Sequence, residues 1–352
     1  MKTNWWRPDE MQQKLPFLDE RDRLIRALRA FFHSHAFREV ETPALQISPG
    51  LEPHLVAFQT EFENPIGRVK QKFYLHTSPE FAMKKLLVAG LPKIFQLARV
   101  YRNREWSSTH HPEFTMLEWY RAGADYTVIM DDTIALLRTC ANSLEPGRQF
   151  TRKAVRSDPH GEWERLTVQE AFLRYTQIDI LATIDNDANP CAAVLRDLAM
   201  ARGHHLAADD TWEDIFFRIF LEEIEPKLGV GRPTILYDYP ISMAALARPK
   251  PGNPRLAERF EVYVCGLELA NAFGELTDAK AQRERFKADM DKKEALYGYR
   301  YPIDENFLAA LELGMPESSG IALGIDRLVM LATGANQIED VLWAVVEAPV
   351  LS

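Results

Sequence analysis

One stretch of the chain constrains its fold more than any other. Residues 94–102 (IFQLARVYR) and 113–121 (EFTMLEWYR) are both rich in aromatic and β-branched residues, and a polar loop, Asn103 to Pro112, separates them. Two such runs joined in this way predict an antiparallel hairpin with a long tip. Other strand patterns surround it. Val56, Phe58, Thr60 and Phe62 alternate with polar neighbours, as in a half-buried strand, and Lys72–His76, 233–238, 260–273 and 320–325 read as further strands. Helical patterns are grouped apart from these. In 18–37, Leu24, Ile25, Leu28, Phe31 and Phe32 form one apolar face; 127–141, 191–202, 211–225, 278–296 and 304–313 follow, and another helix begins at Asp326. Strands and helices that are segregated in this way predict an α+β fold, with a mixed, mostly antiparallel sheet flanked by helices. One domain over 16–352 is expected, with a mainly helical insertion at about 127–230.

Composition excludes several functional classes. Of 352 residues, 46% are hydrophobic and 26% charged, enough for a full core without metals or cross-links. Lys and Arg number 42 against 51 Asp and Glu, a net charge of −9, which argues against a non-specific nucleic-acid coat. Cys140, Cys191 and Cys265 have no CxxC spacing, which fits a reducing compartment. No signal-peptide pattern and no membrane-length apolar run is present, so a cytoplasmic protein without membrane contact is expected. Neither GxGxxG nor GxxxxGK[ST] occurs, so neither a dinucleotide fold nor a P-loop is indicated.

Four places carry chemistry. Arg102, at the end of a strand, either forms a surface ion pair or grips a phosphate bidentately. Arg327 falls in the first turn of a helix that follows Gly320-Ile321-Ala322-Leu323-Gly324, where the helix N-terminus already favours anions. In Glu268-Leu269-Ala270-Asn271-Ala272-Phe273-Gly274-Glu275, simple alternation puts Glu268 with Ala270 and Ala272, and Asn271 with Phe273 and Glu275 on the other face. Such carboxylates are either on a wet face or hold Mg²⁺ or an ammonium group. Glu118 lies inside an apolar strand and needs a cationic partner, either a ligand amine or an internal Lys or Arg. His110-His111 do not form a metal site, since adjacent strand residues point apart. The charged run 280–294 reads as a solvated helix face.

In order and content these segments resemble class II aminoacyl-tRNA synthetase catalytic domains. Val40-Glu41-Thr42-Pro43 is similar to the end of motif 1, Phe95 to Trp119 to motif 2, and Gly320 to Leu328 to motif 3. TSPE, RVYRNRE, HPEFTMLEWY, GLELANAFGELTD and GIALGIDRL resemble the lysyl-tRNA synthetases. Only about 20 residues precede the first helix, too few for the anticodon-binding OB domain of that family, so a free-standing catalytic domain is expected. In this the chain resembles the synthetase paralogues that join (R)-β-lysine to elongation factor P.

The resemblance implies ATP and (R)-β-lysine as substrates, Mg²⁺, elongation factor P in place of tRNA as acceptor, and a homodimer. It assigns Arg102 and Arg327 to catalysis. For ATP it implies Arg102, Asn103, Arg104, Glu105, His111, Phe114, Glu268, Leu269, Gly324 and Arg327, with Glu268 on the metal. For the amino acid it implies Ser78, Pro79, Glu80, Glu118, Tyr120, Asn271, Glu275 and Ala322. Motif 2 departs from the usual Arg-x-Glu: Arg104 stands in the Glu place and Glu105 follows it, so either the loop shifts register, Glu105 takes over, or the contact is lost. Ala322 replaces a Gly common in the lysyl enzymes, and its methyl group trims the amino-acid pocket.

Overall fold

The computed structural model describes residues 4–64, 66 and 70–347. The chain opens with α1 (Pro8–Ser34), β1 (Arg38–Glu39), β2 (Leu45–Gln46), β3 (Gln59–Glu63), β4 (Lys70–Leu75), α2 (Glu80–Val88), β5 (Lys93–Tyr101) and β6 (Glu113–Ala122). Its middle holds α3 (Tyr126–Leu144), β7 (Phe150–Arg152), β8 (Val155–Ser157), β9 (Glu164–Thr167), α4 (Val168–Thr176), α5 (Ala192–Met200) and α6 (Trp212–Ile219). β10 (Thr234–Pro240), β11 (Leu256–Val264), β12 (Leu267–Gly274), α7 (Ala279–Tyr297), α8 (Glu305–Gly314), β13 (Ser318–Gly324) and α9 (Ile325–Thr333) complete it.

An eight-stranded sheet runs β1-β5-β6-β13-β12-β11-β10-β9. The two outermost pairings, β1 with β5 and β9 with β10, are parallel and the interior pairings are antiparallel. The α+β architecture and the β5–β6 hairpin are therefore as the pattern predicts. One face of the sheet is dry. Leu117, Trp119, Leu323 and Ala272 pack there with Leu24, Leu28 and Phe32 of α1, Ile129 and Leu136 of α3, and Leu328 of α9. Buried apolar area of this kind, worth roughly 25 cal/mol per Å², fixes the strand register, because a one-residue slip would turn every one of these side chains outward.

Several sequence expectations need correction. The first helix begins at Pro8, ten residues before 18, and runs through Pro16. The polar Gln12, Gln13 and Lys14 and the internal proline hide that start from the periodicity. β3 is exposed along its whole length, because it is an edge strand of a small sheet ordered β2-β4-β3. Residues 260–273 are not continuous: β11 and β12 meet at a tight turn in which Cys265 (φ 53°) and Gly266 (φ 66°) are both left-handed. A cysteine is not a residue that announces such a turn. Segment 127–230 also contributes strands. β7 and β8 pair with each other, and β9 extends the main sheet. α3 belongs to the main core, whereas α4, α5 and α6 build a second one around Phe172, Phe216 and Phe220. The charged helix α7 is not wholly solvated: Gln282, Phe286, Met290 and Lys293 are buried. Among the described residues no helix is long and apolar enough to cross a membrane.

Candidate active site

The other face of the sheet carries the polar groups, and the register shows how they line up. Directly opposed residues of antiparallel strands share a face. One row across the sheet reads Gln96, Glu118, Ala322, Asn271, Glu261; the next reads Ile94, Tyr120, Gly320, Phe273, Arg259. Glu268 joins this face as well, contrary to simple alternation. Val262 opposes Ala270 and Tyr263 opposes Glu268, so Leu269 is an extra residue in a β-bulge. Leu269 and Ala270 therefore both enter the dry core, and Glu268 is turned to the side of Asn271 and Phe273. The bulge makes one polar surface from residues that alternation would separate.

At one end of this surface is an acidic well. Ser78, just ahead of α2, accepts a hydrogen bond from the Glu80 N–H at 3.1 Å and donates to Glu118 Oε1 at 2.5 Å. Pro79 then sits at the helix N-cap. Tyr120 Oη donates to Glu118 Oε2 at 2.8 Å. The Tyr120 ring lies so close over strand β13 that a Cβ on Gly320 would be 2.2 Å from it, which explains that glycine. Lys84, one turn along α2 from Glu80, places Nζ 2.5 Å from both Glu80 Oε1 and Glu275 Oε2. Burial opposes the Lys84 charge, but Glu275 and Glu80 outweigh it and hold its pKa above the ordinary lysine value. This lysine escaped the sequence reading, although its i,i+4 spacing from Glu80 was a visible signal.

Lys84 pairs with Glu80 and Glu275, and among the described residues no cation is paired directly with Glu118. Burial, reinforced by the charge of Glu80, pushes the Glu118 carboxyl up to about 8. Burial likewise raises Glu275 to about 7 against the pull of Lys84. Burial pushes Tyr120 well above the usual phenol range, and Glu118 adds to it. The well holds more carboxylate than cation.

At the other end are the arginines. The Arg102 guanidinium lies 5.2 Å from the Phe114 ring centre and 3.9 Å from Glu105 Oε1; its Nε is buried and unpartnered. The loop beyond it folds back sharply: Asn103 Oδ1 accepts from the Arg104 N–H at 2.8 Å, and Arg104 takes a left-handed φ of 68°. Arg104 is thereby exposed and Glu105 faces Arg102. Arg327 Nη1 donates to the Glu268 carbonyl at 2.8 Å, Nε to the Thr109 carbonyl at 3.3 Å, and Nη2 to His110 Nε2 at 2.6 Å. Burial and Arg327 lower the His110 pKa, so it is neutral, with Nε2 as acceptor and Nδ1 bearing the proton. His111 is placed differently from the sequence expectation. It is buried, and its ring nitrogens meet the Glu113 carbonyl at 2.6 Å and the Val346 N–H at 3.3 Å. The side chain of Leu269 is also in the core, leaving only its backbone on this side.

Two further residues were missed. Glu261 accepts from Tyr239 Oη at 2.6 Å, Tyr263 Oη at 2.5 Å and Arg259 Nη2 at 2.6 Å. Arg259 also reaches Asn271 Oδ1 at 3.2 Å. Burial and the nearby Glu261 raise the Glu268 carboxyl to about 7. Glu268, beside Glu261 and near Arg327, Arg259 and Arg102, offers the carboxylate that suits Mg²⁺, which typically takes one or two protein carboxylates and completes its shell with phosphate oxygens and water. Among the described residues no cluster of three or more acidic, His or Cys ligands exists, so a fully protein-enclosed metal is not what this site offers.

An acidic well and an arginine-bearing surface at the two ends of one antiparallel sheet match a family seen across the chain. The profile of the class II tRNA synthetases (D, K and N) fits residues 3–344. The chain belongs to this family. The family's chemistry is ATP-dependent activation of an amino acid, generally with Mg²⁺, and the sheet described above is its catalytic domain.

Proposed function

We propose that this protein activates (R)-β-lysine with ATP and transfers it to a lysine side chain of elongation factor P. The observation that carries the reading is Glu118: a buried carboxylate with neutral hydrogen-bond donors on both oxygens and no cation of its own, beside a Glu80–Lys84–Glu275 cluster that already has one. A substrate amine supplies the missing charge, and a dibasic amino acid supplies it twice. Leaving such a carboxylate uncompensated is expensive, so the well favours cationic side chains over neutral ones.

In the proposed reaction the substrate carboxylate attacks the α-phosphorus of ATP, pyrophosphate leaves, and an acyl-adenylate forms. The acceptor amine then attacks the acyl carbonyl and AMP leaves. Arg102 holds the two anions together, and its buried Nε is free to donate. Phe114 and Arg327 flank the nucleotide. Glu105 takes the place of the motif 2 Glu, since the left-handed turn at Arg104 brings it beside Arg102. Nothing in the protein requires a glycine at 324, where a Cβ would meet only the Arg327 side chain at 3.7 Å and beyond; close approach of the nucleotide is the reason we assign. Glu268, with Glu261, would hold Mg²⁺, which offsets phosphate charge when bound. Ser78, Glu80, Glu118, Tyr120, Asn271 and Glu275 line the amino-acid end, with Ala322 directly opposite both Glu118 and Asn271. We place the enzyme in the cytoplasm as a homodimer.

The test is the intact mass of elongation factor P after incubation with this protein, ATP, Mg²⁺ and either (R)-β-lysine or α-lysine. A gain of one lysyl unit, larger with the β isomer, is expected. No gain, while amino-acid-dependent ATP–pyrophosphate exchange persists, would replace elongation factor P with tRNA or a small amine as acceptor. No exchange with any amino acid would make the chain a non-catalytic member of its family.

A further inference from the structure

A second acidic feature borders the well, from a loop to which the sequence reading assigned nothing. Ser48, Gly50, Glu52, Thr77, Ser78 and Glu80 line a small pocket. Two polar atoms in it are buried without a partner, Ser48 Oγ and Glu52 Oε2. Ser48 is only 3% exposed. The loop is held against the segment that carries Ser78, since the Thr77 N–H and Oγ1 both donate to the Pro49 carbonyl, at 3.1 and 2.7 Å. Gly50 has a left-handed φ of 119°, and a Cβ there would stand 2.7 Å from Thr77 Oγ1 and 3.0 Å from Glu52 Oε2. The backbone is thus bent and stripped of a side chain where it tucks a carboxylate inward.

Among the described residues no cation is hydrogen-bonded to Glu52 Oε2. Lys293 lies in the neighbourhood, but its Nζ is spent on the carbonyls of Pro53 and Leu55, at 2.8 and 2.7 Å. Burial and the adjacent Glu80 push the Glu52 carboxyl up, opposed by Arg102 and Lys293. The same loop runs on to Val56, whose carbonyl accepts from the Asn103 N–H at 2.6 Å, next to Arg102, while Glu118 is held by Ser78 and Tyr120.

We propose that Glu52 and Ser48 receive the ammonium group that a diamino-acid substrate carries next to its carboxylate, which makes them specificity-determining residues for the proximal amine. The inference rests on the proposed function. A substrate carboxylate at Arg102 and a distal amine at Glu118 leave the proximal amine facing this loop. Its three N–H donors find acceptors in Glu52 Oε2 and Ser48 Oγ, which otherwise lack a partner, and in the Glu80 carboxylate that Lys84 already contacts.

The experiment compares the wild-type chain, Glu52→Gln and Ser48→Ala in amino-acid-dependent ATP–pyrophosphate exchange. The probes are (R)-β-lysine, α-lysine and ε-aminocaproate, the last used as a competitive inhibitor that keeps the distal amine and lacks the proximal one. Glu52→Gln is expected to raise KM for both diamino acids about tenfold or more, the scale of a lost hydrogen bond to a charged group, with a smaller change in kcat. Ser48→Ala shifts KM in the same direction by less, and inhibition by ε-aminocaproate is unchanged in both variants. Equal weakening of ε-aminocaproate and the diamino acids would overturn the proposal, because Glu52 would then only shape the pocket. Unchanged KM in both variants would overturn it too. Wild-type protein that exchanges with neither diamino acid would remove the function itself, an outcome read before any variant is made.

Discussion

Glu118→Gln tests the electrostatics of the well directly. In the folded, ligand-free protein the Glu118 carboxyl is raised to about 8, first by burial and then by Glu80. In the unfolded chain it titrates near its model value of 4.5. A group whose folded pKa is the higher one stabilises the fold fully below its unfolded pKa and loses that contribution as pH rises through the folded pKa. Between about pH 6 and 8 the unfolded chain has already released this proton and the folded protein still holds it. Stability should therefore fall by roughly 1.4 kcal/mol per pH unit, about 2–3 kcal/mol across that window, and level off above it. Glutamine keeps the size and an acceptor for Ser78 or Tyr120 but cannot ionise. Urea denaturation of both proteins at several pH values reads the difference: the variant should gain on the wild type as pH rises through the window. Parallel profiles, within about 0.5 kcal/mol, would refute the reasoning, because Glu118 would then already be ionised or paired in the free protein. Ligand binding runs the opposite way. A bound ammonium group needs the carboxylate, so diamino-acid affinity should rise with pH up to about 8 in the wild type, with proton release measurable by calorimetry in buffers of different ionisation enthalpy.

Three further outcomes are expected. Lys84→Met removes the one cation between Glu80 and Glu275 and should cost about 3–5 kcal/mol of stability, seen in the urea midpoint, as when one partner of a buried pair is deleted. Gly320→Ala drives a methyl group into the Tyr120 ring and toward Glu275 Oε1, so amino-acid-dependent exchange should fall at least tenfold and the thermal midpoint should drop. Ala322→Gly removes one methyl group between Glu118 and Asn271 and should shift selectivity toward α-lysine by an amount on the order of 1–3 kcal/mol; an unchanged kcat/KM ratio for the two isomers would refute it.

Much of the fold was legible because its signals are local. The hairpin of β5 and β6 and the helix that begins after Gly324 each follow from a pattern within ten or twenty residues. Arg102 and Arg327 could be singled out for the same reason, since each stands just beyond the point where an apolar strand pattern stops. Lys84 lies within reach of the same reasoning, one helical turn from Glu80.

Other features depend on contacts between distant parts of the chain. The bulge at Leu269 exists because β12 must pair with β11 and bury two successive residues, and it alone turns Glu268 toward Asn271. That His110 and not His111 meets Arg327 is set by the way the motif 2 loop closes over α9, and His111 is occupied instead by the backbone of Val346, 235 residues away. The loop that carries Ser48 and Glu52 has no periodicity at all; its position comes from two hydrogen bonds to Thr77 and a glycine bent around them. Residue types and their order determine which strands and helices form and which side chains are chemically able. Whether a carboxylate is paired, protonated or left waiting for a ligand depends on burial and neighbouring charge, and those exist only once distant segments are packed together.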